Sequence, residues 1–107
     1  MNNFQSELAK KIRDFAEKRN WEQFHNPKNL AMAITGEAGE LAAEFQWLAA
    51  EESTLEALSP EILKAVSLEV ADLQIYLLRL ADQLEINLEE VIIEKMEINE
   101  VRFPQVF

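Results

Sequence analysis

Apolar residues recur every three or four positions along most of this chain, and prolines and capping residues divide the pattern into four segments. Strand-like alternation of apolar and polar residues is absent from the sequence, so the predicted class is all-α. The predicted helices cover about 4–19, 27–50, 60–84 and 88–102. Three of them have typical helix starts: Asn26–Pro27, Ser59–Pro60 and Asn87 with Glu90. We expect residues 1–107 to form one domain, a four-helix bundle.

Acidic residues interrupt the apolar seam of two predicted helices. The seam of the second consists of Leu30, Ile34, Leu41, Phe45 and Leu48, and that of the third of Ile62, Val66, Leu73, Leu77, Leu80 and Leu84. Heptad spacing places Glu37 in the seam of the second helix and Glu69 in that of the third, and Glu40 and Asp72 follow one turn later. One such pair alone is common on solvated faces of acid-rich helices. Facing pairs in an apolar interior would repel each other unless divalent cations neutralised them. Carboxylate oxygens favour Mg²⁺, with Mn²⁺ as an alternative, over zinc or copper.

Composition excludes several other classes of protein. The 20 acidic and 10 basic residues give a net charge of −10, which argues against binding to a nucleic acid polymer. Cysteine is absent, so disulfides and thiolate metal sites are excluded. A di-iron bundle needs two ExxH pairs, and His25 is the sole histidine. Since no apolar stretch approaches the length of a membrane span, we expect a soluble cytoplasmic protein without membrane contact.

Both glycines of the chain, Gly36 and Gly39, lie beside the acids of the second predicted helix. Glycine in a helix interior lowers stability by ~1 kcal/mol relative to alanine, so its use here needs a reason. We interpret the pair as leaving room beside the acids for a neighbouring helix or a bulky ligand such as a metal-bound polyphosphate. Close helix packing alone is the competing explanation for either glycine.

Five motifs in order resemble those of the MazG-type nucleoside triphosphate pyrophosphohydrolases. "GEAGEL" at 36–41 and "EVAD" at 69–72 match the ExxE and ExxD signature of that family. "WEQFH" at 21–25, "FQW" at 45–47 and "KMxxNxxRxP" at 95–104 are similar to the branch of deoxycytidine triphosphate pyrophosphatases. Two positions depart from the usual family pattern: Leu68 stands where many relatives have an additional acid, and Glu44 has no clear counterpart.

The resemblance implies an all-α homodimer or homotetramer that cleaves a nucleoside triphosphate to the monophosphate and pyrophosphate. dCTP or a modified dCTP is the implied substrate, and Mg²⁺ is the implied cofactor. The implied metal ligands are Glu37, Glu40, Glu69 and Asp72. Trp21 and Trp47 match residues that line the base pocket, and Asn29 matches a further position of the motif.

Other side chains are candidates from their chemistry. Glu37 is our choice of general base, although spacing does not separate a base from a metal ligand. His25 and Tyr76 are candidates for contacts to base, sugar or phosphate, whereas an interior structural role is equally plausible. Candidates for phosphate binding are the cations Lys28, Lys95 and Arg102, each of which also suits a solvated helix face. Asn99 is a candidate either for bonding a phosphate or for orienting a neighbouring residue.

Two other functions stay open at this point. One is a non-catalytic helical adaptor whose acidic faces bind a basic protein, supported by the acidic surplus and the apolar tail "RFPQVF". The other is hydrolysis of a different nucleotide, such as dUTP or a diphosphate, by the same metal chemistry. If the subunits associate, we expect Trp21 or the C-terminal cations to reach the site from a neighbouring subunit.

Overall fold

The computed structural model describes residues 3–106, and all regular structure in that range is helical. The four α-helices, which confirm the predicted all-α class, are α1 (Asn3–Lys18), α2 (Pro27–Phe45), α3 (Pro60–Gln83) and α4 (Leu88–Arg102). Short 3₁₀ helices at Trp21–Gln23 and Ala50–Glu52 lie in the connections on either side of α2. No helix within residues 3–106 is long and apolar enough to cross a membrane.

The predicted caps begin three of the helices. The side-chain oxygen of Asn26 accepts a hydrogen bond from the Asn29 N–H at 2.9 Å, and Pro27 follows as the first helical residue of α2. Ser59 caps α3 in the same way through the Ile62 N–H. Asn87 caps α4. Each cap satisfies an amide that lies too early in its helix to have an intrahelical partner.

Helix α2 ends at Phe45, so the prediction that it continues to about residue 50 is wrong. The chain turns after Phe45, and Ala49 adopts an extended backbone conformation before the short 3₁₀ helix. The side chain of Glu52 accepts a hydrogen bond from the Ala49 N–H at 2.7 Å. This local contact favours a new helical turn over extension of α2, because it satisfies an amide at the new start.

Helices α2 and α3 form the main packing interface, and α1 packs against α3. Among the described residues the buried apolar core is small and consists of Ala9, Ala16, Leu30, Leu78 and Ala81. Most seam residues of α2 and α3 are half-buried, whereas Leu77 and Leu84 of the predicted α3 seam are exposed. An ion pair joins α1 to α3, since Arg13 donates two hydrogen bonds to Asp82 at 2.8 and 2.7 Å.

Helix α4 extends away from the other three helices and makes few contacts with them. None of its residues is buried, and its large apolar residues are exposed on several sides: Val91, Ile92, Ile93, Met96, Ile98 and Val101. The radius of gyration is 16.8 Å, compared with about 13 Å expected for a compact domain of this length. The structure therefore contains the four predicted helices, but α4 does not close the bundle within one chain.

Candidate active site

The acidic residues of α2 and α3 converge where these two helices pack together. Glu37, Glu40 and Glu69 each offer one carboxylate oxygen, and these three oxygens lie within 4.8 Å of one another. Glu37 and Glu40 share a face of α2 because they are three residues apart, and Glu69 meets them from α3. We refer to these three residues as the acidic cluster. Within residues 3–106 it is the only group of His, Cys, Asp or Glu side chains with the spacing of a metal site.

Two carboxylates of the acidic cluster contain a buried oxygen that has no hydrogen-bond partner among the described residues, namely Oε2 of Glu37 and Oε2 of Glu69. Burial raises the pKa of both carboxyl groups, and the charges of Glu40 and Asp72 raise it further. A buried acceptor without a donor is unfavourable because it has lost water and gained nothing. A divalent cation would satisfy both oxygens and remove the repulsion, so the donor set fits such an ion.

Asp72 and Glu44 lie at the margin of the acidic cluster. Asp72 is the fourth predicted ligand, and its charge raises the pKa of Glu37 and Glu69 although it is not one of the three converging residues. Glu44 has no predicted role, yet its charge also raises the pKa of Glu69. Its position one turn after Glu40 is the sequence signal that indicates this proximity.

The two glycines beside the acidic cluster face open space. A Cβ atom added at Gly36 or at Gly39 would meet no atom within 4 Å, apart from its own helix and neighbours. Close packing by another helix of this chain therefore does not explain either glycine. Room for a ligand or for a second chain is the interpretation that the described residues leave.

A cavity of about 480 Å³ lies beside the acidic cluster, since Asp72, at the margin of that cluster, forms part of the cavity wall. Three predicted substrate-binding residues, Trp21, His25 and Tyr76, line it as well. Their rings form a row: the Trp21 and His25 ring centroids are 5.8 Å apart, and those of His25 and Tyr76 are 6.3 Å apart. The structure thus places an aromatic cavity next to a cluster of carboxylates.

Arg79 is a residue of this cavity that sequence reasoning missed. It lines the wall, is only 4% exposed, and donates from Nε to Nδ1 of His25 at 3.4 Å. Its Nη1 lies 3.7 Å from Oδ2 of Asp82, the same carboxylate that Arg13 binds. The signal that could have identified Arg79 is its spacing, because Asp72, Tyr76 and Arg79 recur at helical intervals on one face of α3.

The remaining predicted site residues lie apart from the cavity and the acidic cluster. Trp47 is in the turn after α2 and is 88% exposed. Lys28 and Asn29 occupy the first turn of α2, where the Asn29 side chain donates to the carbonyl of Phe24 at 3.1 Å. Lys95, Asn99 and Arg102 lie on α4. None of these six lines the cavity.

Comparisons with known proteins find both solved structures and curated proteins that are similar to this chain. A crystal structure of a pyrophosphatase from Archaeoglobus fulgidus superimposes with a TM-score of 0.86 and 39% identity, covering 98% of this chain and 96% of that chain. dCTP pyrophosphatase 1 of Bos taurus is 44% identical over 91 residues, and that of Homo sapiens is 43% identical. These matches cover 85% of this chain and 54% of each relative, so the chain spans about half their length. No protein-family model matches the chain.

Proposed function

This chain belongs to the MazG-like pyrophosphatases, in the branch of the dCTP pyrophosphatases, and from that membership we propose that it hydrolyses a deoxynucleoside triphosphate. The proposed substrate is dCTP or a modified dCTP, cleaved to the monophosphate and pyrophosphate. The observation that carries the proposal is the acidic cluster, with two unpartnered oxygens, beside an aromatic cavity. An adaptor has no need for buried carboxylates next to such a cavity.

We assign a divalent cation, Mg²⁺ or Mn²⁺, to the acidic cluster, with Asp72 as a further ligand. When bound, the cation would neutralise charge on the triphosphate and acidify a water molecule. Glu37 is the proposed general base that takes a proton from the attacking water.

The aromatic cavity is the proposed site for the base. Its volume of about 480 Å³ falls within the range of small-molecule sites. Stacking of a base on an aromatic ring such as Trp21 or Tyr76 contributes ~1 to 3 kcal/mol. Because Asp72 lines the cavity and interacts with the acidic cluster, a nucleotide bound there would direct its phosphates towards the carboxylates.

We further propose that the active enzyme is a homodimer or homotetramer. The accessible surface is 8345 Å² for a chain of 12.3 kDa, whereas a folded monomer of that mass exposes about 6,100 Å². The excess is comparable to the area that one subunit buries in a permanent interface. The exposed apolar side chains of α4 are a natural part of that interface.

Association would also explain the predicted site residues that lie apart in one chain. Trp47 and the polar residues of α4, namely Lys95, Asn99 and Arg102, would then approach the site of a neighbouring subunit. Lys28 is retained as a candidate phosphate contact and Asn29 as a candidate substrate contact. The single-domain organisation and the cytoplasmic location stay predictions.

Release of pyrophosphate from a panel of deoxynucleoside triphosphates, with and without Mg²⁺, tests the proposal. We expect metal-dependent activity, highest with dCTP, that Glu40→Gln removes, because this substitution removes a carboxylate from the acidic cluster. Glu56→Gln is the matched control, since it makes the same change at an exposed residue in the connection between α2 and α3. If the native protein and Glu40→Gln were equally inactive with every nucleotide, the adaptor function would be favoured instead.

A further inference from the structure

Arg79, a buried cation in the wall of the aromatic cavity, has no part in the proposed hydrolysis. Arg79 is 4% exposed, although arginine is rarely this buried without a purpose or a full set of partners. Its guanidinium carries five N–H donors in a planar fork. The contacts to His25 and Asp82 use the Nε and Nη1 nitrogens, which leaves other donors for a ligand in the cavity that Arg79 lines.

The contact between Arg79 and His25 determines which nitrogen of His25 carries the proton. Arginine only donates, so Nδ1 of His25 is the acceptor in this 3.4 Å contact. In a neutral imidazole the proton must then be on Nε2. Burial and the positive charge of Arg79 lower the pKa of His25, which keeps the ring neutral. His25 therefore offers an N–H donor at Nε2.

The surrounding groups hold both side chains in place. Arg13 binds the Asp82 carboxylate through two hydrogen bonds at 2.8 and 2.7 Å, and Asp82 in turn pairs with Arg79. The side-chain amide of Gln83 donates to the backbone carbonyl of His25. The donors of Arg79 and His25 are thus fixed from α1 and α3 before any ligand binds, which lowers the entropic penalty of recognition.

We propose that Arg79 is a specificity-determining residue: with the Nε2–H of His25 it forms a wall of donors that selects cytosine over uracil and thymine. This inference rests on the proposed function. Cytosine presents two adjacent acceptors, O2 and N3, to such a wall. In uracil and thymine N3 carries a hydrogen, so a donor of the protein would face a donor of the base and both would stay unsatisfied.

The ratio of kcat/KM for dCTP to that for dUTP tests the proposal. We expect the native protein to prefer dCTP, and Arg79→Met to lower the ratio by about tenfold or more, within the range for loss of a bidentate contact to one base. Arg79→Lys keeps the charge without the planar fork, so an intermediate ratio is expected. Lys64→Met removes the same charge at an exposed position of α3 outside the cavity and should leave the ratio unchanged.

Nitrogen-15 NMR provides a readout that does not depend on activity. His25 is the only histidine of the chain, so its two ring nitrogens give an unambiguous spectrum. The native protein should show the Nε2–H tautomer, and Arg79→Met should show a mixture of both tautomers. Binding of dCMP and dUMP, measured by calorimetry, should show the same loss of discrimination in this variant.

The outcomes separate this inference from the proposed function. If the native protein hydrolyses dCTP but Arg79→Met keeps both the dCTP preference and a single tautomer, the inference is overturned and the proposed function stands. If the native protein hydrolyses no nucleotide, the proposed function fails, and discrimination between dCMP and dUMP still decides the role of Arg79. Should Arg79→Met not fold, unchanged selectivity and tautomer in Arg79→Lys would overturn the inference.

Discussion

Helices α2 and α4 both begin at an asparagine whose side-chain oxygen accepts a hydrogen bond from the N–H three residues later. Their surroundings nevertheless differ. Helix α2 packs along α3 and contributes Leu30 to the core, whereas no residue of α4 is buried. The apolar side chains of α2 form a seam, but those of α4 are distributed around the helix together with its charged residues.

Local signals and packing signals are therefore separable in this protein. The same kind of cap fixes the start of each helix, because a cap satisfies backbone amides within the first turn. Only a seam that matches the seam of another helix assigns a helix to a packing partner within the chain. Helix α4 lacks such a seam, so its apolar surface is available to another chain, while α2 and α3 hold the acidic cluster between them.

Substitutions in the acidic cluster between α2 and α3 should change the activity most. We expect Glu69→Gln to lower pyrophosphate release at least about 100-fold, because it removes one of the charges that would hold the proposed cation. The same variant should raise the melting temperature of the metal-free protein, since the amide is neutral and can donate to the Glu40 carboxylate. Glu61→Gln, at an exposed residue in the first turn of α3, is the control. A metal-free Glu69→Gln protein that melts below the native protein would contradict this account.

The next effect concerns α4. Ile93 is 52% exposed in the single chain, so an aspartate there should be harmless if α4 is truly solvated. If a second copy covers α4, Ile93→Asp buries an unpaired charge and should dissociate the oligomer. We expect light scattering to give the mass of one chain for Ile93→Asp and a multiple of 12.3 kDa for the native protein. Val106→Asp, beyond the end of α4, is the control. Equal masses for native protein and Ile93→Asp would show that α4 is not the interface.

A smaller effect is expected where α1 joins the packed helices. The two hydrogen bonds from Arg13 hold the pKa of Asp82 below its ordinary value. Because the folded-state pKa lies below the unfolded one, this stabilisation is present above about pH 4 and is lost as the pH falls through the folded-state value. We expect Asp82→Asn to lower the free energy of unfolding by about 1 to 2 kcal/mol at pH 7.

Urea denaturation at a series of pH values measures the contribution of Asp82 to the free energy of unfolding. The difference in the free energy of unfolding between the native protein and Asp82→Asn should become smaller below pH 4. Glu89→Gln, at an exposed residue in the first turn of α4, is the matched control and should show no comparable difference. A difference that stayed constant down to pH 2 would show that the ion pair with Arg13 is not its cause.

The smallest effect is expected at Gly39. Its added Cβ would meet no atom within 4 Å, and its φ is not positive, so Gly39→Ala should stabilise the protein by about 0.5 to 1 kcal/mol. Ala42→Gly, on the same helix, should give the opposite change. If the open space holds a ligand or a second chain, Gly39→Ala should lower activity while it raises stability. Unchanged activity would indicate that the space is empty in the working enzyme.

Much of the fold could be predicted because its signals are local. The caps of α2, α3 and α4 fix where these helices begin, and heptad spacing identifies Glu37 and Glu69 as acids in an apolar seam. The convergence of Glu37, Glu40 and Glu69 confirms that the two seams face each other. The caps and the spacing of the acids within each helix follow from residues within one or two turns of each other.

The rest depends on contacts between residues far apart in sequence. Arg79 was missed because its contact with His25, 54 residues earlier in the chain, is a long-range contact. The exposure of α4 and of Trp47 could not be predicted either, since periodicity does not distinguish a surface covered by the same chain from one covered by another. The metal role of the acidic cluster stays a proposal.

A crystal structure grown with Mn²⁺, with anomalous diffraction data that locate the ion, tests whether the acidic cluster binds a divalent cation. We predict an anomalous peak between the carboxylates of Glu37, Glu40 and Glu69, with the two buried Oε2 atoms within coordination distance. A fully occupied Mn²⁺ position elsewhere, with these carboxylates turned towards solvent, would contradict the account.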